Sequence, residues 1–406
     1  MTNIQILKPI KSIKSILTLT TASFALFAGE AILAPQMAFA DDCLLDTNNN
    51  GSVNLSDTDG GADSAGEDAR LACGVGTMAT GTSSTALGGS AVASGNEAVS
   101  LGHEANASGE LSTAIGATAA ATGVNTSVLG FGARGTGDFS IAIGAFSEAT
   151  ANNSIALGNG ADATGLASNA IGVLSTATAT NAVALGTGSD ATALNASALG
   201  RSSQATGAGA TAIGAGNGSL QSARASGGGS VALGGARYEA DGTTLITAGA
   251  FAAQDGAIAI GSGSVTGQTN DIVIGTNAAS TNSFASGSSV AIGGDSNDVD
   301  ALGAQAGDFA VAIGGDAVAS GSFSVAIGEG SDATGGTATA IGASSNATAD
   351  FATAIGTTSE ATGNNATAVG AFSRATAANA IAIGTFSDAT AQNASCLLYT
   401  SPSPRD

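Results

Sequence analysis

The fold is decided by residues 141–158, IAIGAFSEATANNSIALG, in which the phrase Ala-Ile-Gly returns fourteen residues later as Ala-Leu-Gly. The glycine of this phrase marks each repeat. The markers are Gly88, Gly102, Gly116, Gly130, Gly144, Gly158, Gly172, Gly186, Gly200 and Gly214 and, after an irregular stretch, Gly314, Gly328, Gly342, Gly356, Gly370 and Gly384. A strict period of this kind indicates a solenoid, in which each repeat forms one coil that stacks on the next.

Each repeat contains two short apolar segments. A branched aliphatic residue precedes every marker, and alanine usually precedes that residue, as in Ala142-Ile143. Successive side chains of a strand point to opposite faces, so one face carries large aliphatics and the other carries alanine. A second segment pairs a small residue with a hydroxyl residue, as in Ala149-Thr150. The repeat therefore predicts two strands and two turns per coil, with strands of successive coils paired in parallel. The alternation leaves open which face lines the interior.

The composition suggests that one chain alone has little apolar surface to bury. Aromatic residues make up 4% of the chain, tryptophan is absent, and the 61 glycines argue against helices. A second apolar face of identical repeats favours burial against a copy of itself. We therefore expect a symmetric oligomer along the solenoid axis.

Three phrases carry a family resemblance: NSIALG at 153–158, SVAIG at 324–328 and NAIAIG at 379–384. They resemble the head repeats of YadA-type trimeric autotransporter adhesins, and the resemblance extends over about residues 77–395. It implies a left-handed parallel β-roll that forms a homotrimer on a bacterial outer membrane. It also implies a non-catalytic adhesin that attaches to extracellular matrix, to cells or to other surfaces, with a role in virulence.

Residues 1–40 are predicted to be a secretory signal peptide. Three lysines precede the apolar run 16–29, and an Ala-x-Ala sequence ends at Ala40, which predicts cleavage between Ala40 and Asp41. Removal of residues 1–40 takes away three lysines and Glu30, so 30 acidic and 7 basic residues remain, a net charge of −23. Such a charge argues against binding to nucleic acid or to an anionic membrane surface.

Residues 41–76 differ in composition from the repeats and are predicted to form an N-terminal cap. The spacing of oxygen-bearing residues matches an EF-hand-type calcium loop with Gly51 at the sharp turn. The predicted ligands are Asp46, Asn48, Asn50, Ser52 and Asp57. Because no amphipathic helices flank the loop, an Asn/Gly/Asp-rich turn that caps the first coil is the alternative. Calcium is the only cofactor that the sequence suggests.

Cys43 and Cys73 lie thirty residues apart near the two ends of this cap. In an exported protein, two such cysteines most simply form a disulfide, which would staple a segment that has little core of its own. Two free thiols are the alternative.

Residues 77–395 are predicted to be the head repeats, with irregular, insertion-bearing coils at about 215–313. Insertions in a solenoid form projecting loops, so this stretch holds either binding elements or tolerated irregularities.

His103, the only histidine, is predicted to be a solvated turn residue. Neither a Ser/His/Asp nor a Cys/His grouping is apparent, so we expect no enzyme. The six-residue repeat and catalytic histidine of a β-helical acyltransferase are also absent.

Residues 396–406 differ from everything upstream and are predicted to be a non-native tail, so the chain is interpreted as a head that ends before its stalk and C-terminal membrane anchor.

The alternative function is a single-chain β-solenoid that binds ice or another surface, since a threonine column runs from Thr122 to Thr206. The charged and polar residues two positions earlier, such as Glu148 and Asp162, argue against it.

Overall fold

The computed structural model describes residues 63, 70–218, 220–240, 242–280, 288–294 and 303–398. The chain divides into two units, Met1–Ala38 and Phe39–Asp406, and all described residues belong to the second. They form strands and turns and contain no helix.

A sheet of three-residue strands, here called sheet 1, contains the marker phrases. Each strand pairs in parallel with the strands of the coils before and after it, so that Ile141 lies beside Ile155 and Ile143 beside Leu157. The strands are Leu71–Cys73, Thr85–Leu87, Val99–Leu101, Thr113–Ile115, Ser127–Leu129, Ile141–Ile143, Ile155–Leu157, Asn169–Ile171, Val183–Leu185, Ser197–Leu199, Thr211–Ile213, Val231–Leu233, Ile258–Ile260, Ile272–Ile274, Val290–Ile292, Val311–Ile313, Val325–Ile327, Thr339–Ile341, Thr353–Ile355, Thr367–Val369, Ile381–Ile383 and Ser395–Leu397.

A second parallel sheet, sheet 2, consists of two-residue strands that alternate with those of sheet 1 along the chain. Glu148 pairs with Asp162, and Ala149 with Ala163. The strands are Met78–Ala79, Val92–Ala93, Asn106–Ala107, Ala120–Ala121, Arg134–Gly135, Glu148–Ala149, Asp162–Ala163, Thr176–Ala177, Asp190–Ala191, Gln204–Ala205, Arg224–Ala225, Phe251–Ala252, Val265–Thr266, Ala279–Ser280, Gln305–Ala306, Val318–Ala319, Asp332–Ala333, Asn346–Ala347, Glu360–Ala361, Arg374–Ala375 and Asp388–Ala389. These two ladders confirm the predicted parallel β-solenoid of fourteen-residue coils.

Two turns join the sheets in every coil. The glycine turn begins at the marker and leads from sheet 1 to sheet 2, as in 144–147. The asparagine turn leads back, as in 150–154. Each turn contains one residue in the left-handed region, Phe146 at φ 56° and Asn153 at φ 59° in this coil. Asparagine adopts this conformation at low cost, which explains its frequency in the second turn. Asn181 also donates to Asn195 one coil on, at 3.0 Å.

The interior of the coils holds only small side chains at most positions. Ala142 and Ala149 point inward from the two sheets and are fully buried, as are Ser140 and Ser147 at the ends of the turns. Ser147 Oγ donates to the carbonyl oxygen of Gly144 at 2.9 Å, which satisfies the hydroxyl in an apolar interior. The structure thus places the alanine face inside and the branched aliphatics of sheet 1 outside.

The coil that contains Val128 departs from this rule and compensates for it. Val128 and Thr126 are among the largest fully buried side chains. Opposite them stands Gly135, where most coils have alanine. A Cβ on Gly135 would lie 2.4 Å from Cγ2 of Thr126 and 2.7 Å from Cγ2 of Val128. The missing methyl of the glycine therefore makes room for the extra carbons of its two neighbours.

This packing predicts that alanine at position 135, although most coils have alanine there, destabilises this chain. Gly135→Ala should lower the unfolding free energy by about 1–3 kcal/mol because the interior is overpacked. Adding Thr126→Ser and Val128→Ala should return the stability to within about 1 kcal/mol of the natural chain, because close-packed volume is then conserved. Denaturant unfolding of the three proteins measures both effects. A neutral Gly135→Ala, or a triple variant no better than the single one, would contradict the packing argument.

The described ends of the solenoid differ from the predicted boundaries. Leu71–Cys73 pairs with Thr85–Leu87, and Asp63 bridges to Met78, so the ladders begin before residue 77. At the other end Cys396 pairs with Ala382 and Leu397 with Ile383. Residues 396 and 397 thus continue sheet 1 beyond the predicted boundary at 395.

The irregular stretch keeps both ladders intact. Thr211 pairs with Val231, Val231 with Ile258 and Ile272 with Val290. The additional residues are accommodated in the turns. The glycine turns at 214–223, 234–250 and 293–304 and the asparagine turn at 281–289 are called extended because of their length, and residues 219, 241, 281–287 and 295–302 within them lie outside the described residues. The second of these contains an antiparallel hairpin of Arg237–Tyr238 and Leu245–Thr247.

Candidate binding surface

The outer face of sheet 1 is apolar and partly exposed. A column of branched aliphatics stands before the markers, and a second column two residues earlier mixes aliphatics with threonine, serine and asparagine. Leu129, Ile143 and Leu199 in the first column keep 46%, 40% and 44% of their surface exposed. Parallel pairing repeats this pattern at every coil, so the face is a continuous apolar strip along the ladder. Large contiguous apolar patches on soluble proteins mark interaction surfaces.

The outer face of sheet 2 has a different chemistry. A threonine column, which includes Thr150 directly after the strand Glu148–Ala149, runs beside a mixed column of charged and polar residues. Within that column Arg134 pairs with Glu148 at 3.5 Å, and Arg374 pairs with Glu360 at 2.9 Å. Such solvent-exposed pairs contribute little to stability. This face is polar and fits contact with water better than burial against another protein.

Three aspartates in the mixed column have one poorly solvated carboxylate oxygen. In Asp162, Asp190 and Asp332 the Oδ1 atom is buried and has no hydrogen-bond partner among the described residues. Burial raises the pKa of all three above the ordinary value of 3.8, and the charge of Glu148 adds to the rise for Asp162. The ionised form is therefore disfavoured in the folded chain.

The direction of these shifts predicts a pH dependence. A raised pKa means that the folded state binds protons more readily than the unfolded state, so unfolding free energy rises as pH falls through the folded pKa toward 3.8. We expect Asp162→Asn, Asp190→Asn and Asp332→Asn together to stabilise the chain at pH 7 and to flatten its rise in melting temperature on acidification.

The control for net charge is a variant with Glu97→Gln, Glu104→Gln and Glu329→Gln, which removes three exposed charges. Asn106 and Asn346 occupy equivalent positions in other coils, so asparagine fits the mixed column. Thermal unfolding from pH 7 to pH 4 compares the two variants. Equal pH profiles would show that general charge repulsion, and not the three aspartates, sets the response.

The first two extended glycine turns form one hydrogen-bonded unit on the same edge of the solenoid. Tyr238 Oη accepts from the amide of Asn217 at 2.6 Å and donates to Oε1 of Gln221 at 3.1 Å. The amide of Gly249 donates to the carbonyl oxygen of Gln221 at 2.8 Å. Arg224 lies 4.3 Å above the ring centroid of Phe251 on the adjacent strands. The hairpin is thus held in one arrangement by side chains that the regular coils lack.

This unit exposes apolar side chains at its surface. Leu220 is 73% exposed and Ile246 is 53% exposed, with Leu245 beside it. Arg237 adds a positive charge to a chain whose net charge is strongly negative. Exposed apolar side chains on loops held by a rigid scaffold are typical of binding elements.

A buried carboxylate stabilises the extended asparagine turn. Asp271 is fully buried where most other coils have serine or alanine. Its oxygens accept from Ser280 Oγ at 2.7 Å, from the amide of Gln268 at 2.7 Å, and from the amide and hydroxyl of Ser289 at 3.0 and 2.8 Å. These donors compensate the charge and connect the two ends of the extended turn. In the sequence, this feature is visible only as an acidic residue at a repeat position that elsewhere points inward. The period of the repeat does not reveal it.

The residues predicted as sites from the sequence fall mostly outside this description. Asp46, Asn48, Asn50, Ser52 and Asp57 lie outside the described residues, and so do Cys43, Ala40 and Asp41. Cys73 is disulfide-bonded and Cys396 is a free cysteine. The pairing of Cys73 with Cys43 stays a prediction.

His103 is exposed in a glycine turn. Across the described ranges, groups of three or more His, Cys, Asp or Glu side chains that could hold a metal ion are absent. In the same part of the chain, no helix is long and apolar enough to cross a membrane.

The YadA head domain repeat matches the chain nine times, over more than half of its length. The matched residues are 79–105, 107–133, 136–161, 163–189, 191–217, 252–278, 306–331, 333–359 and 361–387. The chain belongs to the YadA head family. Each match spans about two coils, and the gaps after 217 and after 278 coincide with the extended turns. No curated protein matches the chain.

YadA heads belong to trimeric autotransporter adhesins, a non-catalytic family of the outer-membrane surface. The extended turns between the matches are the parts of this head that depart from the family repeat.

Proposed function

We propose that this YadA head is a trimeric adhesin domain that attaches a bacterial surface to extracellular matrix, to cells or to other surfaces. The observation that carries the proposal is the uncovered aliphatic face of sheet 1, repeated along the whole ladder of a YadA head. Three copies with this face toward a common axis bury it, since the column of branched aliphatics before the markers repeats along the ladder. The roll is proposed to be left-handed, as the family implies.

The extended glycine turns at 214–223 and 234–250 are proposed to contact the target. They are the only described turns that present a hydrogen-bonded hairpin with exposed Leu220, Leu245 and Ile246. In a trimer each unit is present three times, so weak single contacts add through avidity.

The export and capping features complete the proposal. Residues 1–40 direct export and are removed after Ala40. Residues 41–76 cap the solenoid, stapled by a Cys43–Cys73 disulfide, with calcium held by the loop at 46–57. A C-terminal anchor beyond the head holds the trimer at the outer membrane.

The test uses the full chain in binding assays on immobilised matrix proteins, cultured cells and uncoated surfaces. The key variant lacks residues 216–221 and 236–248, which reduces both extended turns to the four-residue length of 144–147. The control variant lacks 145–158, one regular coil. We expect the first variant to lose binding and the second to keep it, with trimeric mass by light scattering in both.

If the variant without the extended turns still binds, the contact with the target lies elsewhere on the head. A folded, β-rich monomer in the natural chain would overturn the trimer and favour a single-chain surface binder.

A further inference from the structure

Phenylalanine occupies backbone positions of this chain that disfavour it. Seven phenylalanines stand at left-handed turn positions with φ between 52° and 59°. They are Phe139, Phe146, Phe309, Phe323, Phe351, Phe372 and Phe386. The left-handed conformation is strained for residues other than glycine, asparagine and aspartate. All seven side chains keep 42% to 68% of their surface exposed, so their burial within one chain is incomplete even where two rings stack.

Three aromatic rings lie at nearly the same level along the solenoid axis. Phe131 and Phe146 lie in successive glycine turns and meet edge to face, with ring centroids 5.1 Å apart. Phe139 lies between them in sequence but in an asparagine turn, on the opposite edge of the coils. The three are 54%, 58% and 56% exposed. One edge therefore presents a two-ring platform, and the other edge presents a single ring at the same level.

The edge rings continue the apolar face of sheet 1. Phe139 is two residues before Ile141, and Phe146 is three residues after Ile143. Ile141 and Ile143 both point outward from sheet 1. Exposed apolar side chains of this coil therefore lie both in sheet 1 and in the turns at its two edges.

Cyclic symmetry brings opposite edges together. If three parallel copies turn sheet 1 toward a common axis, each corner of the assembly joins the glycine-turn edge of one copy to the asparagine-turn edge of the next. Such a ring uses heterologous contacts, in which two different patches meet at every interface. Residues of the same coil lie at nearly the same height in all three copies.

We infer that Phe139 of one subunit packs against Phe131 and Phe146 of its neighbour and closes the corner of the trimer at this level. The partner is a second copy of this chain, and the inference rests on the proposed trimer. Burial of the three rings at each corner offsets the strain of the left-handed backbone. Leu166 on the asparagine-turn edge and Leu174 on the glycine-turn edge repeat the arrangement two coils on.

A photo-crosslinking amino acid in place of Phe139 tests the contact. The full chain is made in isotopically labelled and unlabelled forms, mixed by refolding and irradiated, and linked peptides are identified by mass. We expect links between differently labelled chains, from position 139 to the stretch 131–146. The same crosslinker at Glu148, in the strand Glu148–Ala149 of sheet 2, should give no links between chains. Light scattering of the same samples reports whether the trimer is present.

A substitution pair gives an independent readout. Phe139→Asn relieves the backbone strain and removes the ring, so the chain should fold normally while the concentration at which the trimer dissociates rises about tenfold or more. Phe351→Asn relieves the same strain at a level where the glycine turns carry Ala343, Ser344 and Thr358, and should leave dissociation unchanged.

The outcomes separate the corner contact from the trimer itself. A trimer without links from position 139, or with equal dissociation of both asparagine variants, overturns the corner contact and leaves the trimer in place. A monomeric natural chain overturns both.

Discussion

Aspartate at three outward positions of sheet 1 is expected to convert the proposed trimer into monomers. The variant carries Ile143→Asp, Leu157→Asp and Ile171→Asp, which lie side by side in consecutive coils. Each aliphatic contributes about 1.5–3 kcal/mol when fully buried. The aspartates also bring like charges together near the axis, and unpaired charge in a desolvated interface is strongly unfavourable.

Light scattering measures the mass, and circular dichroism measures the strand content. The three side chains point away from the alanine interior, so the monomer should keep its coils. The matched control is Thr150→Asp, Thr164→Asp and Thr178→Asp, each directly after a strand of sheet 2, which adds the same charges to the same coils. We expect the control to remain trimeric.

A second variant keeps the prediction testable if the aspartate chain does not fold. Ile143→Thr, Leu157→Thr and Ile171→Thr introduce a strand-forming residue that already points outward from sheet 1 at Thr113 and Thr211. This variant should form a weaker trimer that dissociates on dilution. An intact trimer with aspartates on sheet 1, or a trimer lost through the threonine column, would place the subunit contact on the other face.

Alanine at a single marker glycine should unfold several coils. Gly158 has φ +139°, a conformation that side-chain-bearing residues rarely adopt. A Cβ there would lie 2.4 Å from the carbonyl oxygen of Gly172 in the next coil. The backbone of the next coil cannot move away without breaking the hydrogen bonds of its own strands. We therefore expect Gly158→Ala to lower the unfolding free energy by about 4 kcal/mol or more.

Denaturant unfolding gives the size of this effect, and amide exchange locates it. Because each coil contacts mainly its neighbours, protection should be lost first in the coils around residue 158 and be kept at a distance. The control is Gly188→Asn. Gly188 has φ +62°, and its nearest atom to an added Cβ is Ser202 Oγ at 3.8 Å. Asparagine tolerates that conformation, so the control should change stability by less than about 1 kcal/mol. Equal costs at both glycines would refute the close-approach argument.

Local patterns were sufficient for the secondary structure. The marker phrase, the small residue after it and the Asn-rich turns predicted two strands and two turns per coil, and the ladders follow that register from Leu71 to Leu397. Parallel pairing also followed, since residues one period apart are the same type and fall beside each other. The extended turns at 214–223 and 234–250 were visible as breaks in the period.

Contacts between residues at different positions of the repeat could not be predicted from these local patterns. Gly135 accommodates Val128 across the interior, although nothing in either position alone indicates that they meet. Asp271 gathers donors from residues 268, 280 and 289, which the extended turn brings together. The phenylalanines at left-handed positions could be counted in the sequence, but their φ values and exposure depend on the closed turn.

The sequence by itself determined the period, the strands and the parallel stacking of the coils, because fourteen-residue repetition and strand alternation are properties of neighbours along the chain. Only the tertiary structure decided which face is inside. Alternation gives every strand two faces and does not rank them. Closing a coil of two short strands and two tight turns leaves an interior that admits alanine and serine but not isoleucine. The branched aliphatics are therefore outside, on the face that a second copy of the chain covers in the proposed trimer.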